Sequence, residues 1–122
     1  VPVALIIDDS DANRKLARVV LRADGFETVE AATGAEGIAL AIEHVPDVIL
    51  MDLRLPDMDG ADAARRLDEN ERTSQIPVVA LSVMPLKESG EWLEAAGFAG
   101  WLAKPIRVGT FSDEVRFYCA GG

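Results

Sequence analysis

The chain is 122 residues long, enough for one domain with a real core, and its 49% hydrophobic and 27% charged residues are ordinary for a globular protein. With 21 acidic against 12 basic side chains its formal net charge is −9, which argues against direct binding to nucleic acid or to anionic lipid, since both want a basic face. The single Cys119 excludes an internal disulfide and makes a reducing, cytoplasmic setting the default, and no apolar run reaches the roughly 18 residues of a membrane span.

In chain order, Val3 to Ile7 is a short apolar run, the pattern of a strand buried on both faces, and it ends in Asp8-Asp9. Ser10 or Asp11 caps the next helix. Leu16, Val19, Val20 and Ala23 recur at helical spacing as its inward face, with Arg14, Lys15, Arg18 and Arg22 largely off it, and Gly25 stops it. Phe26 to Ala31 reads as a second strand. A helix opened by Thr33-Gly34 runs through Ile38, Ala39 and Ile42 and ends before Pro46. Asp47 to Asp52 is the third and most apolar strand. Pro56 and the Asp59-Gly60 pair mark a loop, and a helix follows from Ala61 to about Asn70 with Ala64 and Leu67 inward. Pro77 starts the fourth strand, which ends in Ser82. A weaker helix, Lys87 to Ala96, is interrupted by Gly90 and closed by Gly97. Phe98 to Ala103 is the fifth strand, followed by Lys104-Pro105. Val108, Phe111, Val115 and Tyr118 mark the last helix, and Gly121-Gly122 is a frayed end. Five βα units with short connections imply right-handed crossovers and an α/β, doubly wound parallel sheet flanked by helices.

Ligands of such sheets bind beyond the carboxyl ends of the strands, where Asp8, Asp9, Asp52, Ser82 and Lys104 would converge. Crowded carboxylates call for a hard divalent cation, and an oxygen-only set suits Mg²⁺. With a lysine and a hydroxyl beside them they make a phosphoryl-transfer site. Each element alone reads more plainly: an Asp-Asp pair can be a cap and a solvated charge, and strands often end in serine. A Lys-Pro pair is common, though its proline can take a cis bond in a tight turn. Asp52 stands out because it closes so apolar a strand and opens a defined loop. A dinucleotide cradle is disfavoured, because phosphate would meet like charge at Asp8-Asp9 where glycines are needed. Nothing places His44, at a helix end, near the acidic strand ends, Trp92 is core or surface, and Cys119 has no basic partner to activate it.

Taken together, Leu5 to Asp9, Asp47 to Gly60, Pro77 to Ser82 and Ala96 to Ile106 resemble the receiver domain of two-component response regulators, over essentially the whole chain. The resemblance implies a flavodoxin-like fold, five helices around a five-stranded sheet in the order 2-1-3-4-5, with residues 1–122 as one receiver domain and no output domain. It implies that Asp52 accepts a phosphoryl group from a histidine kinase or a histidine phosphotransfer protein. Asp9, Asp52 and the backbone carbonyl of Arg54 would ligate Mg²⁺, with Asp8 acting mostly through a bound water. Lys104 would pair with one phosphoryl oxygen and Ser82 would move to another. An aromatic on the fifth strand, here Trp101, would then turn inward and alter the face of the fourth helix, fifth strand and fifth helix, where a downstream protein binds. Trp101 departs from the usual tyrosine or phenylalanine, and the alternative is a fixed partner contact. Val83 replaces a smaller residue and would narrow access to Asp52.

These readings describe a bacterial, cytoplasmic switch rather than an enzyme, a monomer or weak dimer that signals by protein contact. Two alternatives stand beside it. One is the receiver of a hybrid histidine kinase in a phosphorelay, with which Val1 in place of a methionine is compatible. The other is a Mg²⁺-dependent aspartyl-phosphate hydrolase, whose general acid would fall where this chain has Arg54.

Overall fold

The computed structural model of the chain describes residues 1–83 and 93–119. Its elements are β1 (Val3–Ile7), α1 (Asp11–Ala23), β2 (Glu27–Ala31), α2 (Gly34–His44), β3 (Val48–Asp52), α3 (Gly60–Asp68), β4 (Val78–Ser82), β5 (Gly100–Ala103) and a C-terminal helix (Phe111–Cys119). Every strand pair is parallel, in the order β2-β1-β3-β4-β5. The helix expected over Lys87 to Ala96 lies largely outside the described residues, as do Gly90, Trp92 and Gly121-Gly122. Its end is described: residues 93–95 are helical and Leu93 is buried.

Strand alternation divides the core between the two faces of the sheet. Leu5, Ile7, Ile49, Met51 and Ala80 pack with Ala63, Ala64 and Leu67 of α3 and with Leu93 and Phe98. Ala4, Ile6, Val48, Leu50, Val79 and Leu81 pack with Ala17, Val20 and Leu21 of α1 and with Phe111 and Val115. Both faces are covered, which is why β1, β3 and β4 read as unbroken apolar runs.

Two helix ends follow the same rule. Gly25 (φ 90°) and Gly97 (φ 98°) take the left-handed conformation. The N–H of Phe26 then donates to Leu21 O, and that of Phe98 to Leu93 O, each at 3.0 Å. In each case the two residues so joined are buried together, the hydrophobic contact that accompanies this stop. This also shortens β5, since Phe98 belongs to the helix stop and the strand begins at Gly100 rather than Phe98.

The inward face of α1 differs from the expected one. Ala17, Val20 and Leu21 are buried, whereas Leu16 is 36% and Val19 54% exposed. Both sets fit helical spacing through the shared Val20, so periodicity alone cannot choose between them. In α2 the buried residues are Gly34, Gly37 and Ala41, while Ile38 and Ile42 are half-buried and Ala39 is exposed. Small residues let this helix approach the sheet, and a side chain at Gly37 would run into Ile7.

Helix α2 ends at Val45 with φ 45°, a conformation that costs a Cβ-bearing residue about 1–2 kcal/mol and a β-branched one the most. Val45 is 43% exposed, so little packing opposes its replacement. Val45→Asn should therefore raise stability by about 1 kcal/mol, read as a higher urea midpoint at unchanged slope.

Candidate functional site

The register brings the predicted strand ends to one level. Ile7 pairs with Met51 and Asp52 with Leu81, so Asp8 and Asp52 leave adjacent strands side by side. Ser82 pairs with Ala103, and the Lys104 N–H donates to Ser82 O at 3.0 Å. The Lys104–Pro105 peptide is cis.

Carboxylate oxygens of Asp8, Asp9 and Asp52 all lie within 4.8 Å of one another. Asp8 is only 1% exposed, Asp52 is half-buried and Asp9 is exposed. The Lys104 ammonium lies between them, Nζ standing 2.9 Å from Asp8 Oδ2 and 3.3 Å from Asp52 Oδ2. Burial pulls the Lys104 pKa down, but contact with Asp8 and the charges of Asp8 and Asp52 outweigh it and hold the ammonium above its ordinary value. The other carboxylate oxygens are also held: Ser10 N–H donates to Asp8 Oδ1 at 2.9 Å and Arg54 N–H to Asp52 Oδ1 at 3.2 Å. Ser10, rather than Asp11, is the cap of α1 and accepts from Asn13 N–H.

Over these groups opens a cavity of about 170 Å³ lined by Asp52, Leu53, Arg54, Ser82, Val83 and Lys104. Ser82 is buried, whereas Val83 is 77% exposed and stands at the rim. Trp101 is placed elsewhere. It is half-buried against the core on the α3 side and lines a separate cavity of about 310 Å³ with Arg107, Phe111 and Glu114. His44 pairs with its neighbour Glu43 at the end of α2. Burial and the charge of Asp47 push the half-buried Cys119 thiol up, the opposite of what a nucleophile needs.

Two residues of this region escaped the sequence reading. Arg14 Nη1 donates to the main-chain oxygen of Asp8 at 2.6 Å and ion-pairs with Asp11. Its Nε lies 3.5 Å from Glu30, which also pairs with Arg18 at 2.8 Å. Of the basic run on α1, Arg14 therefore braces the acidic end of β1, and Arg14 and Arg18 both reach Glu30 of β2. Asp57 reaches out of the β3–α3 loop to α2, where its oxygens accept from Gly34 N–H at 2.8 Å and Ala35 N–H at 2.9 Å. The Ala35 and Gly34 amides hold its carboxyl below the ordinary range.

The donor set fits a hard cation. It is oxygen-only and clustered, and one member, Asp8 Oδ2, is buried with no hydrogen bond of regular geometry among the described residues, meeting only the Lys104 charge.

Comparison with known proteins agrees with this geometry. Residues 4–116 match the response regulator receiver domain family. The chain is 35% identical over 114 residues to the polar-differentiation response regulator DivK of Brucella ovis, covering 93% of each. Among solved structures, chemotaxis response regulator CheY4 of Vibrio cholerae superposes with a TM-score of 0.90 at 27% identity, over 96% of this chain and 98% of that one. The receiver domain of a sensor histidine kinase from Pseudomonas aeruginosa, which has a magnesium ion coordinated in its active-site cleft, gives 0.88 at 28% identity over 98% of both. With parallel strands in the order 2-1-3-4-5 and an acidic cluster beside a lysine at their ends, the chain belongs to the response regulator receiver domains, phosphorylation-dependent signalling switches.

Proposed function

We propose that Asp52 is the phosphoacceptor, taking its phosphoryl group from a phosphohistidine of a sensor kinase or phosphotransfer protein in a Mg²⁺-dependent reaction. The observation that carries this is the Lys104 ammonium set between Asp8 and Asp52 at 2.9 and 3.3 Å, in a three-carboxylate cluster. Asp9, Asp52 and the Arg54 main-chain carbonyl would hold Mg²⁺, with Asp8 acting through a water. Bound there, the ion would offset charge on the attacking carboxylate and on the transferred group.

An oxygen of Asp52 attacks phosphorus, the P–N bond breaks, and its electron pair leaves on the donor imidazole. The Arg54 N–H and the Lys104 ammonium hold the two oxygens of Asp52, so the carboxylate needs little reorganisation before attack. Lys104 then pairs with a phosphoryl oxygen, and the Ser82 hydroxyl moves to a second. In this reading Trp101 reports the state of Asp52 to a protein that docks on the fourth helix, β5 and the C-terminal helix. Residues 1–122 act as one receiver unit, monomeric or weakly dimeric, in the cytoplasm, whose own chemistry is limited to gaining and losing the phosphoryl group. The hydrolase alternative is not favoured by the family match, nor is the hybrid-kinase alternative by the likeness to DivK.

The test is incubation with a phosphohistidine donor or acetyl phosphate and Mg²⁺. One phosphoryl group per chain is expected, with none in Asp52→Asn. In a Trp92→Phe background the emission of Trp101 should shift as the label enters. Full labelling of Asp52→Asn rejects the phosphoacceptor assignment, and unchanged emission in fully labelled protein rejects the Trp101 role alone.

A further inference from the structure

The loop between β3 and α3, residues 53–59, lines the cavity beside Asp52 with Leu53 and Arg54 at one end and grips α2 at the other. At its base the Arg54 N–H donates to Asp52 Oδ1, Leu53 O accepts from Gly60 N–H at 2.9 Å, and Arg54 pairs with Asp59 in a single bridge. Gly60 leaves room for this closure, since a Cβ there would come within 2.8 Å of Leu53 Cα. Of the loop residues, Arg54, Pro56, Asp57 and Asp59 are exposed, Leu55 and Met58 are half-buried and Leu53 is buried. Leu55 packs on the core, and the loop is tied to α2 by Met58, which lies over Gly34, and by Asp57, whose two oxygens take the Gly34 and Ala35 amides.

Capping alone does not account for Asp57. Helix α2 already has its own cap, Thr33 Oγ1, which accepts from Glu36 N–H at 3.1 Å. Asp57 adds a carboxylate from 22 and 23 residues away against the positive end of the helix dipole. The helix gains two satisfied donors, and the loop gains a fixed position.

We infer that Asp57 is a positioning residue for the phosphoacceptor site: by clamping its loop onto α2, it holds the Leu53–Arg54 backbone against Asp52 and so sets the main-chain geometry offered to the cation. This rests on the reading of the cavity as a Mg²⁺ site, and the experiment separates the two. Asp57→Ala removes both the loop tether and two helix partners, whereas Thr33→Ala removes a helix partner and leaves the loop tethered. Mg²⁺ affinity is measured by calorimetric titration of both variants, of Asp57→Asn and of Asp9→Ala. Amide hydrogen exchange at Arg54 and Gly60 is measured in the metal-free proteins.

Asp57→Ala should weaken Mg²⁺ binding about tenfold, the scale seen when a residue that orients metal ligands is removed, and should speed exchange at Arg54 and Gly60. Thr33→Ala should lower stability while leaving both readouts at wild-type values. Asp57→Asn keeps one acceptor, should recover part of the affinity, and carries the test if the alanine variant does not fold. Unchanged affinity and exchange in Asp57→Ala, or equal changes in Thr33→Ala, would overturn the positioning role while the loss in Asp9→Ala leaves the metal site standing. Wild-type protein that takes up no Mg²⁺, or Asp9→Ala that binds as wild type, removes the site itself and this inference with it.

Discussion

Lys104→Met should reduce phosphoryl transfer to Asp52 by about 10²–10³-fold, the scale of losing one preorganised electrostatic partner of the transition state. It should also destabilise the Mg²⁺-free protein by about 3 kcal/mol, because Asp8 Oδ2 is buried and loses the charge it faces. The two effects have opposite metal dependence. Without the ammonium the three carboxylates repel one another more strongly, so Mg²⁺ should raise the melting temperature of the variant by more than that of the wild type. The transfer rate should stay low even at saturating Mg²⁺, because the lysine acts on the phosphoryl group and not only on the resting pocket. Urea unfolding with and without Mg²⁺, beside initial labelling rates, reads both. A variant as stable as the wild type without metal would show that Lys104 is not what holds Asp8 in place.

The second large effect is expected at Asp9. Mg²⁺ at about 100 times its dissociation constant stabilises a protein that binds it only when folded by about 2.7 kcal/mol. In Asp9→Ala that gain should nearly vanish. Asp9 is exposed, so the substitution costs little packing, and relief of repulsion should leave the metal-free variant at least as stable as the wild type. Asp62→Ala removes a half-buried carboxylate of α3 that pairs with Arg65, and controls for the loss of one negative charge. Melting curves over a Mg²⁺ series decide the matter. Equal metal responses in Asp9→Ala and Asp62→Ala would contradict the ligand role of Asp9.

The strands and the site they carry were legible because one physical demand wrote both. A sheet covered on two faces needs unbroken apolar runs such as Val48 to Met51, and a charged residue ending such a run lies at the carboxyl end of its strand, where ligands of such sheets bind. Asp8, Asp52, Ser82 and Lys104 could therefore be placed together from strand ends alone, and the register does bring them to one level. What could not be read depends on contacts with no local signature. The face of α1 is ambiguous because Leu16 and Val19 repeat with Val20 as regularly as Ala17 and Leu21 do. The buried positions of α2 could not be read because they are Gly34, Gly37 and Ala41, which periodicity of large apolar residues overlooks. Asp57 looked like an ordinary loop aspartate, since its partners Gly34 and Ala35 are more than twenty residues away. Arg14 could be read only as lying off the inward face of α1, since helical spacing says nothing of partners outside the helix, here the main chain of Asp8 and the β2 side chain Glu30.

The most direct test of the account is chemical mapping of the phosphorylated residue. After labelling by a phosphohistidine donor in Mg²⁺, borohydride reduces an aspartyl phosphate to homoserine, and peptide mass spectrometry locates it. Homoserine is expected in place of Asp52, at no other position, and only when Mg²⁺ was present during labelling. Homoserine in place of Asp8, Asp9 or Asp57, or at Asp52 to the same extent without Mg²⁺, would contradict it.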